Sequence, residues 1–196
     1  KFVNMVRDNR DVLLSQKNKW KRKFLGARKI PFFESLRSYM NYHPITTSIV
    51  WNSSLDITIG CKERTDFFIL KFEEFLVSPD KKCKELCDFL GLNYQAEMLE
   101  VANIGSSNIS DSKEKRIDST KINKWQEGGL SSAEIFLAQF FSQSIMKEFN
   151  YSQMNFFLPP FKVLYFSIIF PFKLIFAFTL NLDRISNALK ILKLKK

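Results

Sequence analysis

The chain has 196 residues, 45% of them hydrophobic and 26% charged, and a formal net charge of +10. That length holds one well-cored domain, or one domain with an appendage. Three cysteines cannot all pair, and a single histidine with no Cys or His at ligand spacing argues against a zinc site.

The charge is concentrated at the two ends. Residues 1–30 carry ten Lys/Arg against two Asp, and residues 183–196 carry five Lys/Arg against one Asp. A chain with basic ends and a near-neutral body points to an anionic partner: a nucleotide, a nucleic acid or an acidic lipid. The plainer alternative for Lys17 to Lys29 is a solvated lysine-rich surface.

Phe2-Val3-Asn4-Met5-Val6 reads as a buried strand that stops at Arg7-Asp8-Asn9-Arg10-Asp11. Because Lys1 leads directly into that strand, the chain is expected to be a fragment lacking an upstream part. Residues 8–23 are predicted helical, capped by Asp8 or Asn9. Residues 31–42 and 46–60 are predicted as two further helices, parted by His43-Pro44. Phe67 to Lys71 reads as a second strand. Ser78, Pro79 and Gly91 mark the cap, first position and left-handed stop of the next helix. Its stripe of Cys83, Leu86, Cys87 and Leu90 makes both cysteines buried apolar positions rather than a disulfide or metal site. This cysteine usage fits a reducing, cytoplasmic compartment. A short helix is expected at 95–103, and a long polar loop at 105–121. Ser131 and Glu134 form a capping box, with Leu130 stapled onto Ile135, and open a helix whose apolar positions include Leu137, Phe140, Phe141, Ile145 and Met146.

The strand–helix alternation predicts an α/β fold with a parallel sheet flanked by helices. Two strands are too few for a self-sufficient sheet, so more are expected upstream. The expected division is a domain over 1–152 and an apolar, basic tail over 153–196. Residues 156–182 are the most apolar part of the chain, yet Lys162 and Lys173 leave ten residues between them, and Pro171 interrupts those. A span needs about 20 consecutive apolar residues, so in-plane association with a membrane surface is favoured over crossing. Packing onto the domain or onto a second copy is the alternative. Residues 183–196 read as a basic amphipathic helix suited to acidic headgroups.

The chemistry centres on the first strand and helix. Arg7 ends the strand, where ligands gather in open α/β sheets, and its planar fork of donors matches phosphate. Asp11, Ser15 and Lys19 follow at intervals of four and are expected to share a helix face. The helix N-terminus adds backbone donors for an anion. Arg10 could pair with Asp11 or reach the ligand. An ordinary strand–turn–helix with surface charges is the competing reading.

Val6-Arg7-Asp8-Asn9-Arg10-Asp11-Val12-Leu13-Leu14-Ser15 resembles the signature of the sulfotransferases that use 3′-phosphoadenylyl sulfate (PAPS). The resemblance continues through Leu70-Lys71-Phe72-Glu73-Glu74-Phe75, Ser78-Pro79-Asp80 and Cys87-Asp88-Phe89-Leu90-Gly91-Leu92, with Trp51 where many members carry a helix tryptophan. Arg116-Ile117-Asp118-Ser119-Thr120-Lys121-Ile122-Asn123-Lys124-Trp125 resembles the family's late loop over the nucleotide. The match runs over residues 1–151. It implies a P-loop-NTPase-like sheet, here incomplete at its N-terminus, and a helical apolar extension after it. It implies PAPS as donor, no metal, and a hydroxyl or amine acceptor on a sugar, lipid or small molecule. Arg7 and Ser15 map onto the 3′-phosphate ligands, Lys19 onto an assisting basic residue, and Ser119 and Lys121 onto the late loop. Phe72 stands where the family usually has Tyr.

The family's phosphosulfate loop and catalytic base lie upstream of the first signature, so no catalytic residue is assigned, His43 included, and the chain alone is expected to be inactive. In-line sulfuryl transfer would rest on positioning and charge stabilisation. Two other readings compete: a basic nucleic-acid-binding module built on the Trp20 and Phe24 segment, and a membrane-associated relative without catalysis. No known nucleic-acid motif appears, so no nucleic-acid partner is expected.

Overall fold

A computed structural model describes residues 1–25, 28–100, 117 and 119–194. Strand β1 (Phe2–Val6) pairs in parallel with β4 (Phe67–Lys71), in a register that sets Phe2 opposite Phe67 and Val6 opposite Lys71. Parallel neighbours need a long crossover, and the chain between them supplies it as α1 (Asn9–Asn18), a hairpin of β2 (Phe24–Leu25) and β3 (Arg28–Lys29), α2 (Phe32–Asn41) and α3 (Pro44–Gly60). After β4 come α4 (Phe72–Val77), α5 (Pro79–Leu90), α6 (Ser132–Glu148), α7 (Lys162–Leu180) and α8 (Leu182–Leu194). The architecture is α/β and mostly helical, with a small parallel sheet.

The core forms where α1, α3 and α6 meet the end of β1. Val6, Trp51, Leu55, Ile145 and Met146 are buried together. Leu13 packs with Tyr42 and Ala138, while Leu14 packs with Trp125 and Ile135. The expected capping box of Ser131 and Glu134 opens α6, and Leu130 packs beside Ile135. Gly91 takes φ +78° at the end of α5, a left-handed stop that a Cβ would penalise. Cys83 and Cys87 are buried thiols on the inner face of α5.

Several boundaries differ from the sequence expectation. The helix expected over 8–23 ends at Asn18 and tightens into a 3-10 turn over Lys19–Lys21. Arg22 then turns inward and donates from Nε to the Phe24 carbonyl, which commits the chain to the hairpin. Ser78 occupies the cap position of α5, but its hydroxyl makes no capping bond, and its N–H instead continues α4 by donating to the Glu74 carbonyl at 3.0 Å. Between 95 and 100 the chain forms a 3-10 turn, Ala96–Leu99. The rest of the helix expected to 103, most of the polar loop, and Arg116 and Asp118 lie outside the described residues. Phe140, expected inside, is 67% exposed.

Candidate functional site

The turn after β1 assigns a separate task to each residue of Arg7-Asp8-Asn9-Arg10-Asp11. Asp8 is the N-cap of α1, its carboxylate accepting from the Arg10 N–H at 2.8 Å. The same carboxylate takes a bidentate grip from Arg10, Nε at 3.0 Å and Nη2 at 2.6 Å, with both side chains 1% exposed. Arg10 also donates to Gln139 at 3.1 Å and lies 3.8 Å from the ring centre of Trp125. Its charge is therefore consumed inside the fold: of the two roles open to it in the sequence, it takes neither. Asn9 donates to the hydroxyls of Ser48 on α3 and Ser142 on α6, at 3.2 and 2.7 Å. Asp11 accepts from the Trp125 N–H at 2.9 Å and ties down the chain just before α6.

Arg7 alone of the five is not fully buried. Its Nη2 donates to the Lys121 carbonyl at 2.9 Å and lies 3.6 Å from an Asp11 carboxylate oxygen. The guanidinium rests over the Phe72 ring, 4.4 Å from its centre, a cation–π platform that needs no tyrosine hydroxyl. Trp51 Nε1 donates to the Arg7 carbonyl at 2.9 Å and holds the backbone from behind. Arg7 Nε is buried and has no hydrogen-bond partner. An unmet buried donor on a cation is costly; the Asp11 Oδ2 is likewise buried without a hydrogen-bond partner.

Arg7 and Asp11 line a cavity of about 110 Å³ together with Ser15, Asn18, Lys121 and Lys124, with Leu14 at its wall. The space admits an anion of phosphate size. The Ser15 hydroxyl makes no hydrogen bond among the described residues, whereas those of Ser38, Ser53, Thr58 and Ser167 each donate back to the carbonyl four residues earlier in their helices. Three cations face one carboxylate here. Burial pushes the Asp11 carboxyl above its usual range, against the opposing pull of the Trp125 N–H and Arg7, which softens its repulsion of an anion.

Of the residues singled out in the sequence, Arg7, Ser15 and Lys121 converge on this cavity; Lys19 and Ser119 do not. Lys19 lines a separate cavity of about 620 Å³ with Val12, Gln16 and Arg37. Lys19, the C-cap of α1 with helical dihedrals, stands about 100° round the helix from Asn18, off the Asp11–Ser15–Asn18 row. Ser119 is exposed at the start of the 3-10 turn Ser119–Lys121. Lys124 was missed as a lining residue. It pairs with Glu127 at 2.9 Å, and its position three beyond Lys121 was the available signal.

His43 has a structural task. Its Nδ1 accepts from the Ile45 N–H at 3.3 Å as the cap of α3, and Nε2 lies 3.1 Å from the Phe166 carbonyl. Burial first, and Lys173 nearby, depress its pKa to about 4, so the ring stays neutral and donates from Nε2. No group of three or more His, Cys, Asp or Glu able to hold a metal occurs among the described residues.

Comparison with curated proteins gives no match. Among solved structures, the chain is similar to the "Sulfotransferase Domain from the Curacin Biosynthetic Pathway" at 17% identity and a TM-score of 0.45, over 79% of this chain and 54% of that one. The chain thus spans about half the length of that structure. A family model, described as "Sulfotransferase domain", matches residues 1–155, which takes in β1, the Arg7 cavity and the whole of α6. The chain belongs to the sulfotransferase domain family.

Proposed function

We propose that the Arg7 cavity holds the 3′-phosphate of PAPS, and that the protein serves transfer of a sulfuryl group from this donor to a hydroxyl or amine acceptor. The observation that carries the reading is that Arg7, Ser15, Lys121 and Lys124, from three separate segments, line one cavity at the end of β1. Bound there, the donor supplies the sulfuryl group. Arg7 binds the far end of the donor through a guanidinium already aimed by Phe72 and the Lys121 carbonyl. Ser15 donates its hydroxyl, and the lysines balance charge. Such anchoring turns remote binding energy into positioning of the reacting end.

The described residues present no Gly-rich phosphate loop, and the one carboxylate lining this cavity, Asp11, is held by the Trp125 N–H and Arg7. We therefore expect the 196-residue chain to bind nucleotide without turning it over. The free thiols of Cys61, Cys83 and Cys87 suit a reducing, cytoplasmic setting. A nucleic-acid module finds less support: Arg10 and Lys17 are engaged with Asp8 and Glu134, and Trp20 packs edge-on against Tyr39.

Calorimetric titration with adenosine 3′,5′-bisphosphate tests the assignment. Arg7→Ala should weaken binding roughly ten- to hundredfold, the equivalent of about 1.5–3 kcal/mol for a charge-assisted bond. Lys19→Ala should leave it unchanged. Equal loss in both variants, or none in Arg7→Ala, removes the assignment.

A further inference from the structure

The two faces of α7 differ in kind. On its inner side, Phe166 and Phe170 pack on the His43 ring, with centroids 5.7 and 5.0 Å apart. Lys173 reaches beneath the helix and donates to the carbonyls of Tyr39 and Tyr42 at 3.2 and 2.9 Å. Arg37 Nε donates to the Leu180 carbonyl at 2.9 Å, and Arg184 pairs with Glu34 at 2.7 Å. On the outer side, Phe161, Leu164, Ile168, Phe172 and Ile175 recur at helical spacing and are 57–89% exposed. No charge interrupts this row. Lys162 and Lys173, which break the apolar run in the sequence, both lie off it.

The flank of α7 has its own character. A groove of about 650 Å³ is walled by Trp20, Tyr39 and Tyr165 together with Lys21 and Lys162; Lys17 and Glu134, which also line it, pair with each other at 2.8 Å. Trp and Tyr with basic residues form the composition that settles at headgroup depth. Residues 153–196 carry seven Lys/Arg against one Asp, a charge complementary to acidic lipid.

We propose that this face docks on an anionic bilayer, with α7 lying in the membrane plane. The Phe161–Ile175 row enters the acyl boundary, and the Trp20–Tyr165 flank with its lysines meets the headgroups. By length and composition α7 could cross a membrane. Crossing would strip Lys173, Arg37 and His43 of the partners that hold the helix lengthwise on the domain. A second copy seated on this face would bring the same lysines into opposition, a like-charge arrangement that disfavours it.

Co-sedimentation of the full chain with phosphatidylcholine vesicles, with and without phosphatidylserine, tests the proposal. The expected result is binding to the phosphatidylserine vesicles only. It should fall about tenfold or more in the double variant Ile168→Glu/Ile175→Glu and about fivefold in Lys162→Gln. Both sites are exposed, so an unchanged Tm should certify the variants as folded. The proposal is overturned by absence of binding to phosphatidylserine vesicles, by equal binding to phosphatidylcholine alone, or by wild-type binding in the double variant. A lipid-free dimer in analytical ultracentrifugation that the double variant makes monomeric also overturns it, in favour of a second copy. The nucleotide cavity plays no part in these readouts, so they stand or fall apart from the donor assignment.

Discussion

Arg7 and Arg10 sit three residues apart and do opposite things. Arg10 is 1% exposed, satisfied by Asp8 and Gln139, and roofed by Trp125. Arg7 is only partly buried and lines a cavity with Ser15, Lys121 and Lys124. The difference arises because one arginine lies inside the first turn of α1, against α6, while the other ends β1. Removing Arg10 would leave the Asp8 carboxylate buried and uncompensated. Arg10→Ala should therefore destabilise the fold by about 3–5 kcal/mol, read as a lower urea midpoint with an unchanged m-value. The sequence alone could place both arginines in the signature, but not sort them, because burial depends on which helix arrives from more than a hundred residues away.

Among the elements, α3 carries a cap with a pH dependence. Folded His43 remains neutral down to about pH 4, whereas the unfolded residue takes up a proton near pH 6.5. Between those values the unfolded chain binds more protons, so stability falls as pH drops through the window and is fully present above it. The loss at its lower end is on the order of 3 kcal/mol. Urea denaturation at pH 7 and pH 5 should show the decline, and His43→Asn, which keeps a capping side chain, should flatten it. Helices and strands with strong local punctuation were legible: α5 from Pro79 and Gly91, α6 from its capping box, and β4 from its aromatic run. The end of α1 was not: the helix stops at Asn18 and passes into a 3-10 turn over Lys19–Lys21, where the run of lysines has no Gly or Pro to mark it. Lys19 lines a different cavity from Ser15, so it is not part of the site.

Taken whole, the chain presents a domain whose tail is fastened onto it. His43, Arg37, Tyr39 and Tyr42 all make contacts with α7. Deleting residues 156–196 would remove these hydrogen bonds, at about 0.5–1.5 kcal/mol each, and uncover the His43 ring that Phe166 and Phe170 cover. A fall in Tm of at least about 4 °C by calorimetry is expected; an unchanged Tm would show that the tail contributes nothing to the domain. At the other end, Phe2, Val3 and Met5 of β1 are 44–59% exposed, unlike strands of parallel sheets covered on both faces. The sequence by itself determined the family-bearing signature, the two parallel strands and the apolar, basic tail, since these rest on residue type and short-range periodicity. Tertiary structure alone decided that Arg7, Ser15, Lys121 and Lys124 share one cavity, and that Lys162 and Lys173 leave the outer row of α7 uncharged. Both outcomes depend on the direction in which a side chain points once distant segments pack, and spacing along the chain does not encode that direction.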